Sequence, residues 1–444
     1  MPETARHFLF LQGPRGPLFE RLARQLAARG ANVRRVLFTT SDRADWPSDL
    51  PASKFSEPLA AFKNWLSADV IAHQVTDLVL FGDVQEAHRH ALELAEDDGV
   101  TVHILGEGYL HPDFVTYERG GAQEFGELTE ATMAEMADLV EPQESRRGDF
   151  VPACRADIVR KWWLETRDLS RQLTDRSGFE NSSKYWWLFR LHAVAMHLAA
   201  GLLAPLRVCL GRTRKAWVLR SGRVYHLILL GAVSERHLKA LPDRDAALAF
   251  VERAFTGFRA SCAPDELLVV KLEPLDADRV RLGNDISILA RSHQISSQVV
   301  LIDAGRVMTD LIDESRTVLT PEPAEADHVL RRGWPVACDP VSVFGQLGLG
   351  SDQDLAAFLR APARPDRTRY WLLRRFLTST SQLAGSCYAP SGLRRLLALL
   401  PDAMLAQEDP YSACYRRAEE RLADAAFSAP PGASSRRIRH ERLH

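Results

Sequence analysis

Short, almost wholly apolar runs alternate with amphipathic helical stretches through the first 110 residues, and this alternation restricts the chain to an α/β fold. HFLFLQG (7–13), VRRVLFTT (33–40), DLVLFGD (77–83) and TVHIL (101–105) read as strands. PLFERLARQLAARG (17–30) reads as a helix, with Leu18, Leu22 and Leu26 on one stripe and Gly30 as its stop. EAHRHALELAEDDG (86–99) is the next helix. Near-continuous apolar runs suit parallel strands covered on both faces. Strands joined through helices give a parallel sheet with right-handed crossovers. The pattern resumes with VYHLILLGA (224–232), ELLVVKL (266–272), SQVVLID (297–303), RTVLT (316–320) and WPVAC (334–338), with a helix over 245–260. Residues 120–220 are charged and aromatic, with WW pairs at 162–163 and 186–187, and read as helices. Residues 352–425 are mostly helical, and the basic tail SSRRIRHERLH reads as disordered. The organisation expected is a first Rossmann-like lobe (1–120), a helical connector (121–220), a second Rossmann-like lobe (221–350), C-terminal helices (351–430) and the tail (431–444). The alternation leaves open a weak structural echo between the two lobes, but no sequence repeat shows it.

Bulk properties exclude several classes. A chain of 444 residues is long enough for two to three domains. A net charge of −2 argues against a nucleic-acid partner. The six cysteines are scattered with no CxxC spacing, which argues against a zinc knuckle or redox pair and suits a reducing cytosol. The apolar run in MPETARHFLFLQG is too short for a signal peptide and reads as a strand. LHAVAMHLAAGLLAPLRVCLG (191–211) is the most apolar long segment, but two histidines, a proline and an arginine interrupt it. That makes it borderline for a spanning helix, which needs about 20 mainly apolar residues. No Walker loop, GxGxxG, GxSxG or HExxH is present. DAD (276–278) reads as a helix-start pair, so no metal is expected.

In open α/β sheets, ligands bind beyond the carboxyl ends of the strands. Three loops of the first lobe lie there. QGPRGP (12–17) allows close backbone approach and precedes a helix N-terminus, which favours an anion, although a ligand-free turn explains it as well. FGDVQEAH (81–88) offers Asp83, a candidate cap, and His88, which faces either the ligand side or the next layer. GEGYLHPDF (106–114) sets Glu107 between two glycines, open to act as a base, a nucleophile or a stabiliser of positive charge at a sugar carbon. Spacing alone also admits an ordinary surface turn.

Two doubly wound lobes followed by helices resemble the GT-B plan of glycosyltransferases. HFLFLQGPRGPLFERLARQLAARG, FGDVQEAH and GEGYLHPDFVTYERGG, in that order, resemble the capsule polysaccharide biosynthesis and export family of the KpsS/LipB type. STSQLAGSCY (379–388) resembles a further stretch of that family, and the likeness spans about residues 7–390. The resemblance implies a retaining β-Kdo transferase that uses a CMP-sugar donor and no other cofactor. It implies a phosphatidylglycerol-type lipid or glycolipid acceptor at the cytoplasmic face of the inner membrane, and capsule export machinery downstream. By resemblance, Glu107 is the active-site carboxylate, and Gln12, Gly13, Asp83, His88, Tyr109 and His111 line the acceptor side. Arg236, His237, Lys271 and Thr320 are the donor-side candidates.

The chain departs from the family at several of these places. Gly106 and His111 stand where the family has charged residues. KLEPLD puts Glu273 at a family histidine, and Thr320-Pro321-Glu322-Pro323 replaces an Asn-Ser-Thr stretch. Carboxylates facing a phosphate repel it. Two readings therefore stand, a transferase and a catalytically inactive paralogue that binds or scaffolds. A lipid acceptor requires contact with a bilayer surface, and 191–215, with its basic end at Arg212, Arg214 and Lys215, suits that role. The plainer expectation for this segment is a core helix between the lobes.

Overall fold

The computed structural model describes residues 5–83, 85–110, 114–119, 133–140, 155–173, 186–231, 244–303, 309–340, 342–351 and 353–428. His111, Arg236 and His237 lie outside the described residues. The first sheet contains β1 (His7–Phe10), β2 (Asn32–Leu37), β3 (Ala52–Lys54), β4 (Asp77–Phe81), β5 (Thr101–Glu107), β6 (Phe114–Arg119) and, from far along the chain, β12 (Gln382–Ala384). The second contains β7 (Tyr225–Leu229), β8 (Leu267–Leu272), β9 (Val299–Asp303), β10 (Thr317–Thr320) and β11 (Val336–Cys338). Their orders are β12-β6-β5-β4-β1-β2-β3 and β11-β10-β7-β8-β9. Stripped of β6 and β12, both are the same five-strand parallel order, so the two lobes repeat one topology. The expected α/β, GT-B-like pair of Rossmann-like lobes is what forms.

The central strands β1, β4, β7 and β8 are covered on both faces, which is why they read as apolar runs. In the first lobe α1 (Leu18–Ala28) packs Phe19, Leu22 and Leu26 beneath Phe8 and Phe10. On the same side α2 (Thr40–Ala44) pairs its Asp42 with Arg35, whose guanidinium lies over Phe19. The opposite face carries α3 (Phe62–Ala72) and α4 (Glu86–Asp98), whose Phe62, Leu66, Ala87 and Ala91 meet Leu9 and Leu78. In the second lobe Phe250, Phe255 and Ile286 cover Ile228 and Val270. Val329, Tyr370 and Phe376 cover Leu227 and Val269. Tyr109 and Leu110 of the first lobe are buried in that same second-lobe cluster, so the segment after Glu107 plugs the seam between the lobes.

Three strands escape the sequence reading: β3, β6 and β12. β6 and β12 add an antiparallel margin to the first sheet, with Gln382 opposite Thr116 and Glu107 opposite Val115. The helix that follows, Pro390–Leu405, lays Leu393, Leu396 and Leu400 on α1. Residues 382–405 thus complete the first lobe.

The core-helix expectation for 191–215 is overturned. Trp186–Arg220 is one helix of 35 residues with Pro205 inside it. Only 11% of its most apolar window is buried. Its packed stripe is narrow and mostly small, with His197, Ala200, Ala204, Gly211 and Val218. A Cβ on Gly211 would lie 1.9 Å from the Asp303 carbonyl, and one on Gly201 2.0 Å from Trp162, so glycine sets both approaches. By length and composition this helix could cross a membrane.

A buried polar chain joins the base of the first sheet to the returning helix. Arg6 pairs with Asp77 and donates to the Met404 carbonyl at 2.6 Å. His103 Nε2 lies 2.8 Å from Asp77, and its Nδ1 lies 2.9 Å from the Tyr117 hydroxyl. Tyr117 in turn donates to the Ala403 carbonyl at 3.3 Å. Burial opposes ionisation of Asp77, but the bonds from His103 and Arg6 outweigh it and hold the carboxyl down to about 2. A depressed carboxyl stabilises the fold above its unfolded pKa, and that contribution is lost as pH falls from about 4 to about 2. Asp77→Asn leaves Arg6 short of its counter-charge and is expected to cost about 3 kcal/mol at neutral pH. Urea unfolding should show the wild-type advantage shrinking below pH 4; a pH-independent difference would contradict the assignment.

Candidate active site

Glu107 is the last residue of β5, and its carbonyl accepts from Thr116 Oγ1 at 3.0 Å across the β5–β6 hairpin. The strand therefore fixes the backbone while the side chain stays one-third exposed. Lys161 Nζ donates to Glu107 Oε1 at 2.8 Å from the connector helix Arg155–Gln172. The same ammonium lies 5.3 Å from the Tyr388 ring centre. This arrangement holds a carboxylate beside a cation and an aromatic face at the carboxyl end of a parallel strand. Of the two flanking glycines only one is required by packing. A Cβ on Gly108 would lie 2.4 Å from the Phe114 carbonyl oxygen, whereas one on Gly106 would meet nothing closer than Thr116 Cβ at 3.8 Å. A Cβ at Gly106 would thus make ordinary van der Waals contact only.

The hairpin is held from behind by Gln382. Its Oε1 accepts from the Tyr109 amide at 2.9 Å and from the Leu110 amide at 3.5 Å, and its Nε2 donates to Thr116 Oγ1 at 2.9 Å. Tyr109 is thus a buried anchor of the loop. Lys161, Gln382 and Tyr388 are absent from the sequence-based set. Gln382 and Tyr388 fall inside the quoted STSQLAGSCY stretch, which was the one available signal.

The other first-lobe candidates divide. Gly13 packs against Phe19, with a Cβ there 2.4 Å from the ring, and Gln12 beside it is half-buried. The Gly16 amide, at φ 113°, donates to Asp45 at 3.0 Å, and Arg15 pairs with Asp168 at 2.8 Å. Carboxylates of the protein thus meet the groups that were expected to greet an anion. Asp83 is half-buried in the turn after β4; Gln85, not Asp83, precedes α4 as its cap residue. His88 does not line the acceptor side. It is wholly buried in the first turn of α4, with Nδ1 2.7 Å from the Gly82 carbonyl, and burial pushes its pKa down to about 4.

In the second lobe the strand order reverses between β7 and β10, where a ligand crevice is expected. Arg236 and His237 belong to the segment after β7, outside the described residues. The Glu322 side chain packs over Gly231, where a Cβ would meet it at 3.1 Å. Thr320 is not a ligand donor: it is buried, its hydroxyl donates to the Leu229 carbonyl at 2.9 Å and accepts from the Glu322 amide at 3.1 Å. Lys271 is buried, 2.8 Å from Glu325 and 3.9 Å from Glu273. Burial alone would lower its pKa, but Glu325 and Glu273 outweigh that and hold the ammonium charged. Its charge is spent on internal carboxylates. Arg207 of the long helix donates to the Pro274 carbonyl at 3.0 Å, tying that helix to the loop after β8. Asp278 donates its amide to Asp276 Oδ1 at 3.0 Å just before a helix that begins at Arg279, in keeping with a helix-start pair.

Gln382→Ala strands two buried amides. It is expected to cost about 1–3 kcal/mol, read as a lower urea midpoint. An unchanged midpoint would mean that the amides find other partners.

The sequence matches the family model described as capsule polysaccharide biosynthesis protein over residues 76–388. The capsule polysaccharide modification protein LipB of Neisseria meningitidis serogroup B is 22% identical over 401 residues, covering 87% of this chain and 93% of that protein. The capsule polysaccharide export protein KpsS of Escherichia coli is 21% identical over 388 residues, covering 87% and 97%. Among solved structures, HepE of Anabaena in complex with UDP and glucose aligns over 96% of this chain and 100% of its own, at 10% identity and a TM-score of 0.31. A score that low adds nothing to the topology above. The matched span opens one residue before β4 and closes on Tyr388, so it encloses Glu107, Lys161 and Gln382, and the chain belongs to the capsule polysaccharide biosynthesis protein family.

Proposed function

We propose that the chain is a membrane-surface glycosyltransferase of capsule assembly, moving Kdo or a related sugar from a CMP-sugar to a phosphatidylglycerol-type lipid with retention. The observation that carries this reading is Glu107, held one-third exposed at a strand end by Lys161 and a buried amide clamp. An ionised carboxylate in such a place stabilises positive charge at a sugar carbon or attacks it. Lys161 neutralises that carboxylate at rest, and Gln382 limits the hairpin's freedom to shift. Glu107→Gln keeps the shape and removes the charge. Transfer from CMP-Kdo to phosphatidylglycerol is expected to fall by about 10²–10⁴, with the melting temperature retained. An active Glu107→Gln enzyme would remove the role assigned to Glu107.

The long helix supports the membrane part of the reading. Leu191, Leu198, Leu202, Leu206 and Trp217 face outward from it, Leu202 at 80% exposure. Trp163 adds to the exposed apolar surface from the adjacent connector helix. Soluble monomers rarely show contiguous apolar patches of this kind. Arg212 and Arg220 are exposed toward one end of the same helix, which suits an anionic leaflet. The connector helix that packs on it also carries Lys161, so this surface lies one helix away from Glu107. The full chain is expected to float with phosphatidylglycerol vesicles. A Leu202→Glu/Leu206→Glu variant should stay in the buffer with an unchanged melting temperature. Wild-type protein left in the buffer would end this part of the proposal.

A second reading, an inactive paralogue that binds or scaffolds, is favoured by the second lobe. Glu322 at the switch point and the Glu273–Lys271–Glu325 group oppose a nucleotide phosphate. Thermal shifts against CMP- and UDP-sugars separate the two. Stabilisation by a nucleotide sugar supports the transferase, and none across the panel supports the scaffold.

A further inference from the structure

At the amino edge of the second sheet, opposite the switch point, three metal-binding side chains converge. His226 on β7 is wholly buried, and Cys262 and Glu266, flanking the turn into β8, are partly open to solvent. Cys262 Sγ lies 3.5 Å from His226 Nε2, and Glu266 Oε2 lies 3.4 Å from the same nitrogen. All three ligand atoms fall within 4.8 Å of one another.

These distances have a geometric meaning. A tetrahedral zinc ion with bonds of about 2.0–2.1 Å to nitrogen and oxygen and about 2.3 Å to sulfur places neighbouring N and O about 3.4 Å apart, and N and S about 3.5 Å apart. The two edges that meet at His226 are already at those lengths. The third edge, between Cys262 and Glu266, lies within 4.8 Å. The outer contacts fit as well. His226 Nδ1 lies 2.7 Å from Thr317 Oγ1, so a proton donated to that hydroxyl leaves Nε2 as the lone-pair nitrogen facing Cys262 and Glu266. Arg316 binds the other Glu266 oxygen at 3.2 Å and so fixes the carboxylate's second arm. Hydrogen-bonded partners of this type set the tautomer and orientation of metal ligands. One thiolate, one imidazole and one carboxylate select a borderline-soft divalent ion over magnesium or calcium.

We propose that His226, Cys262 and Glu266 bind one zinc ion, with solvent in the fourth position, clasping the amino ends of β7 and β8 and the end of the helix Arg244–Ser261. Binding breaks the Cys262 S–H bond; the thiolate becomes a ligand and the proton leaves to solvent. The site is separate from the proposed transfer chemistry, so its test does not depend on sugar transfer.

The full chain, stripped with chelator and titrated with Co²⁺, is expected to develop a thiolate-to-cobalt charge-transfer band and intense tetrahedral d–d bands, saturating at one equivalent. Zn²⁺ should bleach them and raise the melting temperature by a few degrees. Cys262→Ser should lose the charge-transfer band, and Glu266→Gln should weaken metal binding by about 10-fold or more, both with native circular dichroism. Absence of the bands in wild-type protein would overturn the proposal and leave a metal-free hydrogen-bonded triad. A charge-transfer band that survives in Cys262→Ser would overturn it equally, by assigning the ion to another cysteine.

Discussion

The site rests on one side-chain amide. Gln382 is buried, and its oxygen gathers the amides of Tyr109 and Leu110 while its nitrogen meets Thr116. These backbone groups follow a strand end, and buried amides of that kind must meet an acceptor. Supplying it from β12 fixes where the β5–β6 hairpin ends and hence where Glu107 points. The same residues drive Tyr109 and Leu110 into the second lobe's core, so the clamp also sets the seam between the lobes. Lys161 then arrives from a third direction. The carboxylate is thus positioned by two remote segments: Lys161 bonds it directly, and Gln382 acts through the hairpin backbone and Thr116.

The lobes share a topology but differ in electrostatic design. In the first, cations from the connector helix face carboxylates of the loops: Lys161 meets Glu107, and Arg167 meets Asp45. In the second, acidic side chains surround one buried lysine at the strand ends. Desolvating Lys271 is tolerable only because those carboxylates accompany it. That arrangement stabilises the lobe and at the same time withholds the cation from any bound phosphate.

Much of the fold was legible because parallel strands covered on both faces announce themselves as apolar runs. The doubly wound order followed from strand and helix alternation. β12 was not legible: three residues between long helices give no periodicity to read, and pairing with β6 is a tertiary event. Glu107 stood out because glycines flank it. Lys161 and Gln382 did not, since their contacts lie 54 and 273 residues away. Thr320 and His88 were misassigned for one reason: polar side chains near strand ends satisfy the protein's own carbonyls as readily as a ligand. Composition marked 191–211 as apolar but not which side was covered, because that depends on alanine and glycine spacing against a sheet. The His226–Cys262–Glu266 group is invisible to spacing rules, since β7 and the turn before β8 are neighbours only in the folded sheet.

The antiparallel margin also orders events during synthesis. β6 is complete by residue 119, but the strand that covers its outer edge ends at residue 384. Through most of translation the first lobe carries an unpaired edge and an α1 face still waiting for Leu393, Leu396 and Leu400. An open edge of that kind recruits other strands. The lobe made first is therefore the one finished last, and a nascent chain released before residue 405 holds its best-formed sheet in its stickiest state.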